Sequence, residues 1–529
     1  MSFKSQEKDN ASSVRGTDVL NDFRVAVRSR HASLMGRKEV FMGKAKFGIF
    51  GDGKELAQIA MARAFQLGDF RSGYYRDQTF MMALGELTVQ QYFAQLYAHT
   101  SVEAEPASAG RLMNGHFATR SIHEDGSWKD LTKMYNSAAD ISPTAAQMPK
   151  LLGLAYASKL FRENPGLSEL TQFSKKGNEV AWGTIGNAST SEGMFFESIN
   201  AAGVLQVPMV ISVWDDGFGI SVPQKYHTTK GSISEILAGF QRTDSENGFE
   251  ILKVKGWDYE GLMEAFQFAG SLARKEHVPV LIHVEEMTQP QGHSTSGSHE
   301  RYKSAERLQW EKDWDCILKF KEYILANGIA TEEELDKIDS EEKTFVKKQK
   351  EAAWSQFSGE IKTELQQAVG LIRELADSST QKIVLLQLAD DLSKTINPIR
   401  KDVISSVRKA LMLTKDDSEN SKAQIKSWYE TQKAKNFDRY SSHLYSESKW
   451  SVSNIQEVPA KIDEKSPLVD GREILQAFFD HTLENDPRFF AFGEDVGKIG
   501  DVNQAFAGLQ AKYGEWRVTD TGIRECTIV

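Results

Sequence analysis

The stretch Gly177–Ser221, GNEVAWGTIGNASTSEGMFFESINAAGVLQVPMVISVWDDGFGIS, decides how this chain is read. Val180–Ile185 is an apolar run that ends in a glycine turn, and Pro208–Trp214 is a second run, almost wholly apolar. The segment between them, SEGMFFESINAAGVLQ, reads as a helix, and Ser189-Thr190-Ser191-Glu192 has the S/T-x-x-E form of a capping box at its start. Continuous apolar strands joined by a short crossover helix are the signature of a parallel sheet buried on both faces. The texture continues downstream. FEILKV reads as a strand, Leu262, Ala265, Phe266, Ala269, Leu272 and Ala273 mark one face of a helix, and VPVLIHVEE closes the set as a strand. The fold class is α/β with a doubly wound parallel sheet.

Around that unit the chain divides in four. Residues 1–17 are a polar arm, 18–330 carry the sheet, 331–465 are rich in Glu, Lys, Gln and Ser and read as a helical and polar connector broken at Asn397-Pro398, and 466–529 resume an α/β texture. The 529 residues suit several domains at roughly 100–200 residues each. A formal charge of −10 argues against a nucleic-acid binder, whose phosphate contacts need a basic excess. Two cysteines, Cys316 and Cys526, cannot frame a disulfide scaffold and suit a reducing compartment. No apolar run is long enough to span a membrane. The expectation is a soluble, cytoplasmic protein.

Open parallel sheets bind ligands beyond the carboxyl ends of their strands. Two such ends carry polar clusters, Gly186-Asn187-Ala188 and Asp215-Asp216-Gly217. A helix N-terminus with free N–H groups suits a diphosphate, and an adjacent carboxylate suits a Mg²⁺ that neutralises it. The same residues are also what two ordinary strand-to-helix turns contain.

In spacing, Gly186–Ser221 resembles the thiamine diphosphate motif of the 2-oxo acid dehydrogenases, in which one strand ends in Gly-Asp-Gly and a later one in Asn-Asn-Gly-Tyr. The resemblance implies that Gly186, Asn187, Ala188, Ser189 and Asp216 line the cofactor, and that the side chains of Asn187 and Asp216 hold Mg²⁺ together with the carbonyl of Phe218. Here the Asp and Asn of that pair are exchanged. Tyr75-Arg76-Asp77 resembles the Tyr-Arg pair that contacts the diphosphate, GRLMNGHF places His116 at the active site, and ISPTAAQMP adds Ser142 and Gln147 as cofactor-lining candidates. GHSTSGSHERYKS, from Gly292, resembles the loop of the branched-chain member, with His293 assisting acyl transfer and Ser294 at the position phosphorylated in mitochondrial relatives. Gln289 and Lys303 stand where that family has arginines. Gly53-Lys54-Glu55 stands where relatives have a Gly-Gln-Glu helix start, which makes the nearby Gly51-Asp52-Gly53 a cap rather than a metal site.

The tail segments DPRFFAFGEDVGKIG and RVTDTGIRECTIV resemble the opening of the family's β subunit, with Glu525 as the carboxylate that bonds the cofactor's aminopyrimidine and Glu494 as a neighbouring active-site carboxylate. The resemblance therefore implies an α-type subunit fused to the start of a pyrimidine-binding-like β domain, truncated at Val529 and too short to bury a core. It implies oxidative decarboxylation of a 2-oxo acid, branched-chain first and pyruvate next, with His293 and His116 managing protons. The partners implied are a lipoyl-bearing dihydrolipoamide acyltransferase core and a second copy of the fused chain. Asn187, Gln289 and Lys303 leave open a decayed paralogue with a scaffold or regulatory role.

Overall fold

Six strands form one sheet, every neighbouring pair parallel, in the order Asn136–Ser137, Phe70–Ser72, Ala181–Gly186, Met209–Trp214, Val280–Glu285, Glu250–Lys255. The structure is a computed structural model and describes residues 16–442 and 444–529. The expected arm lies outside the described residues except for Gly16 and Thr17, which open the helix Gly16–Phe41. The two decisive strands begin one residue later than the sequence suggested, at Ala181 and Met209.

Alternate residues on the central strands face opposite layers, as pleating requires. Trp182, Val210, Trp214, Val280 and Ile282 join a core with the helices Gly16–Phe41, Glu55–Ala64 and Tyr259–Glu276. Ala181, Ile185, Met209, Ile211, Val213 and Leu281 join a second core with Gln147–Glu163 and Gly193–Leu205. Helices on both faces explain why polar residues are nearly absent from these strands. Each such Val, Leu or Ile contributes about 1.5–3 kcal/mol over an exposed counterpart.

The expected capping box at Ser189 does not form. Residues Asn187–Ser191 make a short 3₁₀ turn, and the helix opens at Gly193 after Glu192, whose N–H donates to the Ser189 carbonyl at 3.2 Å. A working capping box occurs elsewhere, where Thr331 and Glu334 start a 47-residue helix, Glu332–Ser378.

That long helix changes the reading of the connector. With Lys382–Ser393, Arg400–Leu413 and Glu419–Ser441 it builds a bundle whose core includes Ile361, Ile372, Leu385, Val403, Val407 and Ile425. The expected break falls in place, with Asn397 at φ 49° just before Pro398. The C-terminal unit pairs Ala491–Gly493 with Val518–Asp520 in parallel beside the helix Gly471–Asn485. Against expectation it buries a small core of Leu483, Ala491, Leu509 and Val518. It rests on the outer helices of the sheet, through Tyr156 and Thr519, Lys159 over the Trp516 ring, and the Thr527 N–H on Glu197.

Candidate active site

The loops after strands Phe70–Ser72, Ala181–Gly186, Met209–Trp214 and Val280–Glu285 leave one edge of the sheet. The chain departs from Phe70–Ser72 toward Asn136–Ser137 and from Ala181–Gly186 toward Met209–Trp214, so this pair of neighbouring strands is the topological switch point where such sheets open a crevice. One buried guanidinium organises it. Arg71 donates to Asp77 (2.7 and 2.9 Å), Asp140 (3.0 Å) and the Ser137 hydroxyl (2.8 Å). Asp77 also accepts from the Thr184 hydroxyl at 2.5 Å, and Asp140 accepts from the Phe117 N–H at 2.9 Å. Burial opposes the charge on Arg71, but Asp140 and Asp77 outweigh it and raise its pKa further. The short segment Tyr74-Tyr75-Arg76 is thereby held over the strand ends. Sequence reading singled out none of Arg71, Asp77 as a ligand of Arg71, or Asp140, because the three-residue strand that buries Arg71 carries no apolar run to announce it.

The structure brings Arg76 and His293 together. The Arg76 guanidinium donates to the Phe50 carbonyl at 2.5 Å, to the His293 carbonyl at 3.0 Å and to His293 Nδ1 at 2.9 Å. Because Arg76 can only donate, Nδ1 accepts, and neutral His293 carries its proton on Nε2. Burial and then the Arg76 charge push its pKa down to about 4. The Tyr75 ring lies between two histidines, with centroids 6.4 Å from His293 and 6.1 Å from His116. His116 is buried; its Nδ1 sits 3.1 Å from the Met113 carbonyl, so Nε2 accepts from the Ser142 hydroxyl at 2.9 Å. Tyr75, Arg76, His116, Ser142 and His293 are one cluster.

The two halves of the decisive motif also touch. A Cβ on Gly219 would stand 2.7 Å from the Ala188 methyl, so the Asn187–Ser191 turn and the segment after Asp216 approach as closely as glycine allows. Gly186 lies under Tyr74, near Ser189. Asp215 is occupied by His283 (3.0 Å) and Gln224 (2.8 Å). Asp216 has an unexpected partner. The ammonium of Lys54, 1% exposed, donates to Asp216 at 3.0 Å, to the Thr288 carbonyl at 3.0 Å and to Gln289 Oε1 at 2.8 Å. Burial lowers the Lys54 pKa; burial alone would raise that of Asp216, but Lys54 and Arg76 bring it below its usual value. Asn187 Nδ2, Thr288 Oγ1, Gln289 Nε2 and Gln291 Nε2 are buried without a hydrogen-bond partner, and so is one acceptor, Asp52 Oδ1.

The remaining candidates fall as follows. Gln147 is buried and donates to the Thr184 carbonyl at 3.0 Å, tying the start of its helix to the central strand. The ring of Phe218 lies beside Tyr302, centroids 5.8 Å apart. Lys303 anchors the His293 loop through the Gln289 carbonyl and both oxygens of Glu311. Asp52 is not the cap of the following helix; one of its oxygens accepts from the Gln291 N–H at 3.0 Å, while Glu55 accepts from the Gly53 N–H at 2.8 Å. Glu494 and Glu525 are exposed on the C-terminal unit and are not brought into the cluster.

The donor set fits an anion better than a resident divalent cation. The buried donors and the Arg76 fork suit phosphoryl oxygens, whereas Asp216 already holds an ammonium.

A match to the family described as "Dehydrogenase E1 component" spans residues 27–361. The chain belongs to this family of thiamine diphosphate-dependent 2-oxo acid dehydrogenase components. It is 26% identical over 293 residues to the 2-oxoisovalerate dehydrogenase subunit alpha of Bacillus subtilis, covering 55% of this chain and 77% of that one. It is 28% identical over 327 residues to the pyruvate dehydrogenase E1 component subunit alpha of Acholeplasma laidlawii, covering 61% and 80%. Against the mitochondrial 2-oxoisovalerate dehydrogenase subunit alpha 1 of Arabidopsis thaliana it is 26% identical over 300 residues, and the chain spans only 55% of that relative. The family match takes in the sheet domain and part of the long helix, and stops before the rest of the bundle and the C-terminal unit.

Proposed function

We propose that the protein binds thiamine diphosphate at this cluster and carries out the oxidative decarboxylation of a 2-oxo acid, passing the acyl group to the lipoyl arm of a dihydrolipoamide acyltransferase. The observation that carries the reading is Arg76 on His293 with Tyr75 set between His293 and His116, all at the switch point of the sheet. Bound thiamine diphosphate supplies the electron sink for the bond to CO₂. The chain's own residues do the rest. Arg76 orients the anion through its fork and fixes His293 in the tautomer whose Nε2–H donates toward a reacting oxygen. Ser142 holds His116 with its proton on Nδ1, and Tyr75 shuts water from the space between the histidines. Gly186, Ala188 and Ser189 offer backbone for close approach. Glu525 and Glu494 are proposed to face the cluster of a second copy, since both are exposed on the unit that carries them. Branched-chain acids are the first choice and pyruvate the next, in line with the relatives named above. A cytoplasmic location belongs to the same proposal; among the described residues no helix is long and apolar enough to cross a membrane.

The test is turnover with an artificial electron acceptor on a panel of 2-oxo acids. Branched-chain substrates should exceed pyruvate, and no turnover on any of them, with cofactor demonstrably bound, would overturn the reading. A decayed paralogue that keeps the fold is the second reading, favoured by Asn187, Gln289 and Lys303 at positions where the family resemblance expects other residues. It predicts no thermal stabilisation by thiamine diphosphate even at millimolar concentration.

A further inference from the structure

We infer that Lys54 supplies the cation against which a diphosphate binds here, so that the site holds a diphosphate without a divalent metal. The inference deepens the cofactor reading above and rests on it for the identity of the ligand. Its own support is geometric. All three hydrogens of the Lys54 ammonium are directed at oxygens, those of Asp216, Thr288 and Gln289, at 2.8–3.0 Å. That is the oxygen shell a bound cation would demand, and a side chain fills it. The second oxygen of Asp216 accepts from the Phe218 N–H at 3.2 Å. A divalent ion on Asp216 would have to displace Lys54 from its only carboxylate contact and leave two like charges in a dry site, where repulsion is poorly screened.

Besides the Thr288 hydroxyl, three amide NH₂ groups and one carboxylate oxygen, Asp52 Oδ1, are buried without a partner on the Asn187 turn, on Asp52 and on the 289–291 loop. Gln289 turns its oxygen to Lys54, which leaves Nε2 buried and unpaired, and Asn187 Nδ2 and Gln291 Nε2 are in the same condition. Unpaired buried donors are costly, and these amide groups are satisfied by an anion rather than by a metal. The sequence shows the matching exchange. The family resemblance places arginine at 289 and glutamine at 54; this chain has Gln289 and Lys54, touching at 2.8 Å. The positive charge has moved across one contact and stayed in the site. With its three hydrogens on protein oxygens, Lys54 serves there as a neighbouring point charge rather than as a donor to the phosphoryl oxygen, while Arg76 keeps the fork.

The experiment is calorimetric titration of the full chain with thiamine diphosphate and, separately, with inorganic diphosphate, each in excess EDTA and in Mg²⁺. Wild-type affinity for both should agree within about threefold between the two conditions, since the cation is a side chain. Lys54→Gln should weaken binding in EDTA at least tenfold and recover part of it in Mg²⁺, because Asp216 is then free to take the metal. Asp216→Asn provides the opposite sign: it releases Lys54 from its carboxylate and should tighten metal-free binding, whereas a metal site would lose its ligand and its affinity. Should Lys54→Gln not fold, Asp216→Asn alone decides. Binding that EDTA abolishes and Asp216→Asn destroys overturns the inference and leaves the cofactor reading standing. Metal-free binding of inorganic diphosphate that needs Lys54, with thiamine diphosphate inert, keeps the inference and overturns the cofactor. Failure of both ligands in both conditions overturns both.

Discussion

Arg76 does two jobs that lysine cannot share. Its fork reaches the Phe50 carbonyl and the His293 ring at once, and the second contact sets the histidine tautomer. Arg76→Lys keeps the charge and loses the fork. Hydrogen bonds to charged groups contribute about 1.5–3 kcal/mol each, so affinity for thiamine diphosphate should fall roughly tenfold to a hundredfold, measured by calorimetry. Histidine protonation gives a second prediction. His277 is buried, donates through Nε2 to the Gly177 carbonyl at 2.9 Å and has no acceptor for a proton on Nδ1. Burial therefore lowers its pKa from 6.5 to about 4. The unfolded chain takes up the proton first, so the stability His277 contributes is complete above pH 6.5 and is lost as pH falls toward 4. His293 titrates in the same direction and window. His277→Gln should flatten the dependence of the denaturation midpoint on pH between these limits, removing about 1–3 kcal/mol of it. An unchanged slope would mean that the imidazole takes up its proton alike in the folded and unfolded chain. The family resemblance made Arg76 and His293 legible singly, but their contact, across 217 positions, was not. Lys54 was not legible, because a lysine beside Gly51-Asp52-Gly53 looks like any helix start and its carboxylate lies 162 positions away.

At the scale of elements, the site depends on two close approaches of backbone. Gly53 has φ +86°, and a Cβ there would fall 2.2 Å from the Thr288 carbonyl oxygen. That oxygen belongs to the loop bearing Gln289 and His293, so it cannot yield without moving them. Gly53→Ala should weaken thiamine diphosphate binding at least tenfold and cost about 1–3 kcal/mol for the left-handed backbone alone. A Cβ on Gly193, at the start of its helix, would meet nothing within 4 Å, and Gly193→Ala should leave both affinity and melting temperature within experimental scatter or raise the latter slightly. Whereas the short strands Phe70–Ser72 and Asn136–Ser137 were not read, the two central strands, Ala181–Gly186 and Met209–Trp214, were readable to within one residue because burial on both faces leaves a nearly unbroken apolar run. The turn at Asn187–Ser191 was not. Its sequence satisfies the capping-box pattern, but contact with the segment after Asp216 favours a 3₁₀ turn that moves the helix start beyond Glu192.

Across the whole molecule the 47-residue helix Glu332–Ser378 couples the sheet domain to the bundle. Its first half contributes Leu335, Ile338, Val346 and Ala353 to the core under the sheet, and Glu342 pairs there with Arg24 and Arg28. Its second half contributes Ile361, Ala368, Ile372 and Leu375 to the bundle core. The sequence showed helices here but not this role. Burying Glu342 against two arginines breaks the apolar period that would have announced a core-facing helix. Phe357 packs against both cores and stacks on Tyr97 at 6.0 Å. The bundle also reaches the active-site side of the domain, where Arg111, just before the His116 loop, donates to the Arg439 carbonyl and the Ser442 hydroxyl. Removing Phe357 should therefore act at a distance. Phe→Ala in a core costs about 3–5 kcal/mol, less at the half-buried Phe357, and at a residue packed against two cores that cost falls on their coupling. In native-state hydrogen exchange, Phe357→Ala should lower protection across 382–441 while amides of the Ala181–Gly186 and Met209–Trp214 strands keep theirs, splitting the molecule into two opening units. A uniform loss over strands and bundle together would show instead that sheet and bundle unfold as one, with Phe357 an ordinary core residue.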